Sequence, residues 1–338
     1  MSYPTISIIT PTLNAESVLE KCLESISSQD YPKDKVEIII ADGGSKDNTV
    51  KIAKNFGAKV VKNPRKTGES GKAEALKHAH GEIVALIDSD NILPDGNWLK
   101  IMTKPFSDDE IIAAEPIEYT YRKGDPILTR YFALLGMNDP ICLFLGNYDR
   151  YSVLTGKWTG LKFSQTDKGI YLKVKLDHEP VPTIGANGFL IRHEALTQVA
   201  KDDYLFDIDV LVQIIRKKGY VNVAKVKTGI IHTFVENDPF KFFRKQLRRI
   251  NDMSFHHVQG SRQIDWQSTF FWRIIWFQLQ CLLVFPILYQ TLKGFLAKPD
   301  PAWFFHPIAC YSTWFIYLYG WIKGKIRPEE NSRHNWRQ

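Results

Sequence analysis

Thr5-Ile6-Ser7-Ile8-Ile9-Thr10, running straight into Pro11-Thr12-Leu13-Asn14, is an apolar β-branched run that breaks into a polar loop. It reads as a buried strand, and the same unit recurs outward from it. Leu19, Cys22, Leu23 and Ile26 stand at helical spacing, and Pro32 closes that segment before a second strand at 36–41. That strand ends on Asp42-Gly43-Gly44-Ser45. A helix at 47–56, a strand at 59–62, a helix at 72–79 and a strand at 83–87 that stops on Asp88-Ser89-Asp90 continue the alternation. The pattern predicts a Rossmann-like α/β fold with a mostly parallel sheet and helices on both faces.

The chain has 338 residues, 44% of them hydrophobic, enough for one domain with an appendage. Its net charge of +7 raises the question of nucleic acid. Lys and Arg are spread along the chain and thicken beside the C-terminal apolar segments, with no DNA or RNA motif. Anionic lipid headgroups suit that rim better, and no nucleic-acid partner is expected. Cys22, Cys142, Cys281 and Cys310 lack C-x-x-C spacing and read as reduced, buried thiols. No basic segment followed by an apolar stretch opens the chain, so the globular part is expected on the cytoplasmic side.

The globular part is expected over 1–235. Within it, 125–180 forms an insertion on the acceptor side or at a membrane interface, and the apolar stretch 126–145 suits a packed or an interfacial helix equally. A strand at 171–176, a loop from Pro180 to Gly188, a strand at 189–192, an acid-led helix at 206–217 and a strand ending on His232 complete it. Residues 236–267 read as a basic amphipathic linker, with Phe240, Phe242 and Phe243 among Lys241, Arg244, Lys245, Arg248 and Arg249. In the membrane-associated remainder, 268–338, apolar helices are expected at 274–292 and 301–322, each about long enough for a membrane. Gln278 and Pro286 keep an interfacial or re-entrant hairpin open. The basic flanks place both ends in the cytoplasm.

Open α/β sheets bind ligands at the carboxyl ends of their strands, here the loops 12–16, 42–47 and 88–91. No G-x-G-x-x-G follows the first strand, and there is no Walker lysine loop. In Asp88-Ser89-Asp90, two carboxylates leave a buried strand together and can approach one hard cation and its phosphates; Asp90 also suits a simple cap.

Taken in order, Pro11-Thr12-Leu13-Asn14, Gln29 before Tyr31-Pro32, Ala41-Asp42-Gly43-Gly44-Ser45-Lys46-Asp47, Gly71-Lys72-Ala73 and Asp88-Ser89-Asp90 resemble glycosyltransferase family 2, over residues 5–232. The resemblance implies an inverting enzyme of GT-A fold that uses a nucleotide sugar, usually a UDP-sugar. Thr12 and Glu16 would line the nucleotide pocket, Asp42 would bond the base, Lys72 would lie near the nucleotide, and Asp90 would bind Mg²⁺ or Mn²⁺ with Asp88 beside the ribose or sugar. The stretch Gly185 to Arg192, with Asn187, resembles the loop behind the sugar, and Phe206-Asp207-Ile208-Asp209 the family's Glu-Asp motif with Phe206 replacing the acid. Asp207 would be the base, with Asp209 in reserve, and His232 a further group at the metal or diphosphate. Gln246 to Ile250 echoes a Gln-x-x-Arg-Trp motif, with Gln246 and Arg249 toward diphosphate or acceptor. Ile250 in place of Trp, and only two apolar segments, suit transfer of a single sugar. Bland roles stay open beside these: Asp42 as turn former, Lys72 as solvated helix residue, Asp207 as helix-start acid, His232 as structural group.

The expected function is therefore transfer of one sugar to a membrane-bound glycolipid or lipid-linked saccharide. A polyprenyl-phosphate hexose synthase is the near alternative, though Ile92 stands where such enzymes carry Gln. A silent nucleotide-sugar-binding membrane protein and a nucleotidyltransferase are the alternatives of other classes.

Overall fold

The computed structural model describes residues 3–185, 187–198, 204–205, 207–258, 264 and 266–326. Of these, residues up to Thr120 and from Phe163 to His232 form one compact unit, and those from Tyr121 to Lys162 and from Thr233 onward form another. The strands are β1 (Ile6–Thr12), β2 (Val36–Asp42), β3 (Lys59–Lys62), β4 (Ile83–Leu86), β5 (Asn91–Ile92), β6 (Ile111–Tyr119), β7 (Ser164–Asp167), β8 (Tyr171–Leu176), β9 (Phe189–Arg192) and β10 (Val221–His232). The α-helices are α1 (Glu16–Ser27), α2 (Thr49–Asn55), α3 (Gly68–Leu76), α4 (Trp98–Thr103), α5 (Ile127–Leu135), α6 (Ile141–Leu145), α7 (His193–Thr197), α8 (Asp207–Lys218), α9 (Pro239–Val258), α10 (Trp266–Thr269), α11 (Phe271–Leu283), α12 (Phe285–Ala297) and α13 (His306–Ile326).

The first unit holds one sheet in the order β3-β2-β1-β4-β9-β6-β10-β8-β7, with β5 paired to the end of β10. Strands β1 to β4 run parallel, as the alternating pattern predicts. Beyond them the sheet is mixed rather than mostly parallel: β9 runs antiparallel to β4 and β6, and β8 to β10 and β7. For β7 and β8 the reason lies in their connection. A parallel pair needs a crossover of a dozen or more residues, whereas the turn from β7 to β8 is too short for anything but a hairpin. Helix α1 buries Leu19, Cys22, Leu23 and Ile26, each large apolar side chain stabilising by about 1.5–3 kcal/mol. Helix α3 starts ahead of the expected 72–79 because Thr67 caps it, its hydroxyl accepting from Ser70 N at 3.0 Å. Thr12 and Asp42 are register partners at the ends of β1 and β2.

The second unit is helical. Tyr131, Phe132 and Leu135 of α5 are buried with Phe242 of α9, Trp303 and Ala309, so the 126–145 stretch packs into a protein core. Helix α9 buries Phe242, Gln246 and Ile250 on one face. Of the phenylalanines expected toward a membrane surface, Phe240 is exposed and Phe243 half-buried. The expected apolar helix at 274–292 is two helices instead, α11 and α12, bent by 89° where Val284 takes φ 62°. Pro286 sits in the first turn of α12, a position that needs no N–H, and cannot continue α11. Among the described residues no single helix is long and apolar enough to cross a membrane; α11 and α12 pass that test only together.

Asp300 staples this unit. It accepts from Tyr121 Oη at 2.6 Å, Arg130 Nε at 2.9 Å and Ala302 N at 2.8 Å. Burial opposes its charge, but those donors outweigh burial and hold the carboxyl below the usual range. A lowered folded pKa gives stability that is present above the unfolded value, near 4, and lost as pH falls through the folded one. Asp300→Asn should therefore melt below wild type at neutral pH, and the two melting curves should converge in acid.

Candidate active site

Asp42 closes β2 and organises the loop that follows. Its Oδ1 accepts from Thr12 Oγ1 at 3.1 Å and Ser45 Oγ at 2.5 Å, its Oδ2 from Gly44 N at 2.9 Å and Ser45 N at 2.8 Å. A carboxylate has about four acceptor sites, so Asp42 first shapes this turn, and Thr12 is drawn to it. Glu16 ties the neighbouring loop to it, accepting from Asn48 N at 2.9 Å and Nδ2 at 3.0 Å, while its own N–H donates to Asp47.

After β4 the chain turns through Asp88-Ser89-Asp90 and immediately pairs again. The short strand β5 sets Asn91 opposite His232 at the end of β10. That pairing brings Asp90 Oδ1 to 3.3 Å from His232 Nε2, with the Tyr119 ring 5.5 Å from the imidazole. Asn91 Oδ1 accepts from Asp88 N at 3.0 Å, and its Nδ2 donates to Asn187 Oδ1 at 2.9 Å. Asn187 adopts φ 54°, a left-handed conformation Asn tolerates. Two loops far apart in sequence are thereby joined through one buried amide.

Lys72 and Asp207 form an ion pair. Lys72, on α3, is buried rather than solvated, and its Nζ donates to Asp207 Oδ2 at 2.6 Å. Burial works against the ammonium, but Asp207 and Asp88 outweigh it and hold the lysine above its usual pKa. For Asp88, burial raises the carboxyl, Asp90 and Asp207 raise it further, and Lys72 and His232 oppose them. The Cys22 thiol, near the Asp88 carbonyl, is pushed up by burial and by Asp90 and Asp88, an inert thiol. All four cysteines are free. Asp207 opens α8, where the helix dipole favours an acid, and Asp209 is buried in the same turn. Ala186 and Phe206 lie outside the described residues.

Behind Asp207 stands a pair that motif reading passes over. Glu115 and Lys225 are register partners on β6 and β10, both buried and 2.6 Å apart. Glu115 Oε1 also accepts from Gly185 N at 3.1 Å. Gly185 presses on Asp207 so closely that a Cβ there would lie 2.5 Å from the Asp207 Cβ. The signal was a charge set inside the apolar part of each strand, Glu115 after Ile111-Ile112-Ala113-Ala114 and Lys225 within 221–226.

Gln246 and Arg249 belong to the helical unit. Gln246 Nε2 donates to Asp139 at 3.3 Å and Thr313 at 3.2 Å, and Arg249 pairs with Asp139 at 3.2 Å and with Gln246 Oε1 at 2.7 Å. In this structure both serve a network that also holds Tyr317.

Among the described residues no three His, Cys, Asp or Glu side chains gather at metal-ligating range. Asp90 and His232 present two donors. Mg²⁺-type cations keep several waters and take phosphate oxygens, so this pair fits one completed by a ligand's diphosphate.

A sequence profile described as Glycosyl transferase family 2 matches residues 7–196. The glycosyltransferase AglE of Haloferax volcanii is 28% identical over 143 residues, 40% of this chain and 47% of that protein. The dolichyl N-acetyl-alpha-D-glucosaminyl phosphate 3-beta-D-2,3-diacetamido-2,3-dideoxy-beta-D-glucuronosyltransferase of Methanococcus voltae is 36% identical over 102 residues, 28% of this chain and 32% of that one. The GalNAc(5)-diNAcBac-PP-undecaprenol beta-1,3-glucosyltransferase of Campylobacter jejuni is 37% identical over 108 residues, 30% and 34% of the two chains. The matched stretches thus span about half or less of these relatives. The structure of a mannosyltransferase from Pyrobaculum calidifontis, solved with GDP-Man and Mn²⁺, superposes with a TM-score of 0.54 at 16% identity, covering 97% of this chain and 88% of its own, a likeness of fold alone.

Proposed function

Because the chain belongs to glycosyl transferase family 2 and has a GT-A fold with a mixed sheet, we propose that it transfers one sugar, with inversion, from a UDP-sugar to a glycolipid or lipid-linked saccharide. The observation that carries this reading is the convergence of Asp88, Asp90 with His232, Asn187, and Lys72 with Asp207 beside the carboxyl end of β4. The acceptor oxygen attacks the anomeric carbon as the bond to the diphosphate breaks on the opposite face, and Asp207 takes the hydroxyl proton. Lys72 supplies positive charge to the departing diphosphate. A divalent cation, Mg²⁺ or Mn²⁺, held by Asp90 and His232 would neutralise more of it.

Lipid-linked acceptors are supported by the names of the relatives from Methanococcus voltae and Campylobacter jejuni. The helical unit supports a membrane location. Trp272, Phe285 and Leu296 are exposed there at 78%, 82% and 71%. Asp300 is the one acid between residues 266 and 328, against six basic residues, which suits an anionic lipid surface on the cytoplasmic face.

One experiment tests the reading: the purified full chain is bound to anionic vesicles carrying membrane lipid extract and offered a panel of UDP- and GDP-sugars with Mn²⁺. Wild type should float with the vesicles and label a lipid from one donor. Asp90→Ala should float equally and lose about 10²–10⁴-fold in transfer, the scale of several kcal/mol of lost charge stabilisation. If no donor is turned over, the functional reading falls, and if Asp90→Ala transfers normally, the metal assignment falls.

A further inference from the structure

Lys72 and Asp207 are charges that the proposed reaction uses for different purposes, and in this structure they hold each other. The ammonium lies 2.6 Å from Asp207 Oδ2, with side-chain exposures of only 7% and 12%. The two partners differ in their freedom to move. Asp207 is walled in: a Cβ at Gly185 would meet its Cβ at 2.5 Å and its Oδ2 at 3.2 Å. That wall is itself fixed, because Gly185 N donates to Glu115 and Glu115 is bound to Lys225 in the centre of the sheet. Lys72 reaches the pair on a four-carbon stem from α3, and the charge of Asp88 also favours its ammonium.

From this geometry we infer that Lys72 is a donor-operated latch on Asp207. In the free protein it occupies the oxygen that would receive the acceptor's proton, and the diphosphate of a bound nucleotide sugar draws it away. The inference rests on the proposed transfer reaction. It makes Lys72 a positioning residue as well as a counter-charge: Asp207 is released to act as base only when a donor is present, so that acceptor activation follows donor binding. Opening the latch also opposes donor binding, because the pair must break before the ammonium can serve the diphosphate.

That opposition can be measured as a coupling. UDP and GDP binding, each with Mn²⁺, would be followed by calorimetry in wild type, Asp207→Asn, Lys72→Met and the double variant. If Lys72 must leave Asp207, then Asp207→Asn tightens nucleoside diphosphate binding on the order of tenfold. In the Lys72→Met background the same change gives less than about twofold, because no latch remains to open. Uridine and guanosine, which lack the diphosphate, bind all four proteins alike. An equal gain in both backgrounds would mean that Asp207 simply repels the anion, and the latch is refuted. No gain from Asp207→Asn when Lys72 is intact refutes it too. Should wild type bind neither diphosphate, the proposed function fails and the latch with it, an outcome distinct from the other two. Lys72→Gln, which keeps a hydrogen-bond donor without the charge, repeats the cycle if Lys72→Met does not fold.

Discussion

Asp207→Asn is expected to leave a folded protein that binds its donor and transfers about 10³-fold more slowly. Asparagine matches the carboxylate in size and can still accept from Lys72, so the packing against Gly185 survives while the basic oxygen is lost. The loss should fall on kcat, since the carboxylate accepts the acceptor's proton in the chemical step, while donor affinity does not fall and rises if the latch holds. Asp209 cannot substitute readily. Two residues along a helix turn it by about 200°, to the far side of α8 from Lys72. The measurement is single-turnover transfer at saturating donor. Near-wild-type transfer would mean an acceptor that is already ionised, and so the polyprenyl-phosphate alternative.

Why some of this site is legible in the sequence and some is not follows from where the constraint lies. The carboxyl ends of β1, β2 and β4 are legible because each strand and its loop are contiguous: an apolar run, then Thr12, Asp42 or Asp88. The β-α-β alternation carries the parallel half for the same reason. The antiparallel half is decided by pairings across long separations, β4 with β9 and β6 with β9, and no local period specifies those partners. Asn91 illustrates the difference. In sequence it is the residue after a D-x-D, while in the fold its amide joins the Asp88 turn to Asn187, 96 positions away. The break at Val284 was hidden differently, since composition sums over a segment and does not register a single left-handed residue ahead of a proline.

Glu115→Ala should be among the most destabilising single changes in the sheet unit, by about 3–5 kcal/mol. Its carboxylate is the counter-charge of Lys225 and the acceptor for Gly185 N, and neither Glu115 nor Lys225 has access to water that could replace what is lost. Taking two charges out of water costs about as much as their attraction returns, so the pair need not stabilise the fold in net terms. Guanidinium melts should therefore show Glu115→Met with Lys225→Met recovering most of the loss that either single change incurs. Activity should not recover with it. The double variant still lacks the acceptor that holds Gly185, and Gly185 is the wall against which Asp207 is set. A double variant that is stable, binds donor and transfers poorly would assign the pair to positioning the base. One that is stable and fully active would confine it to packing between β6 and β10.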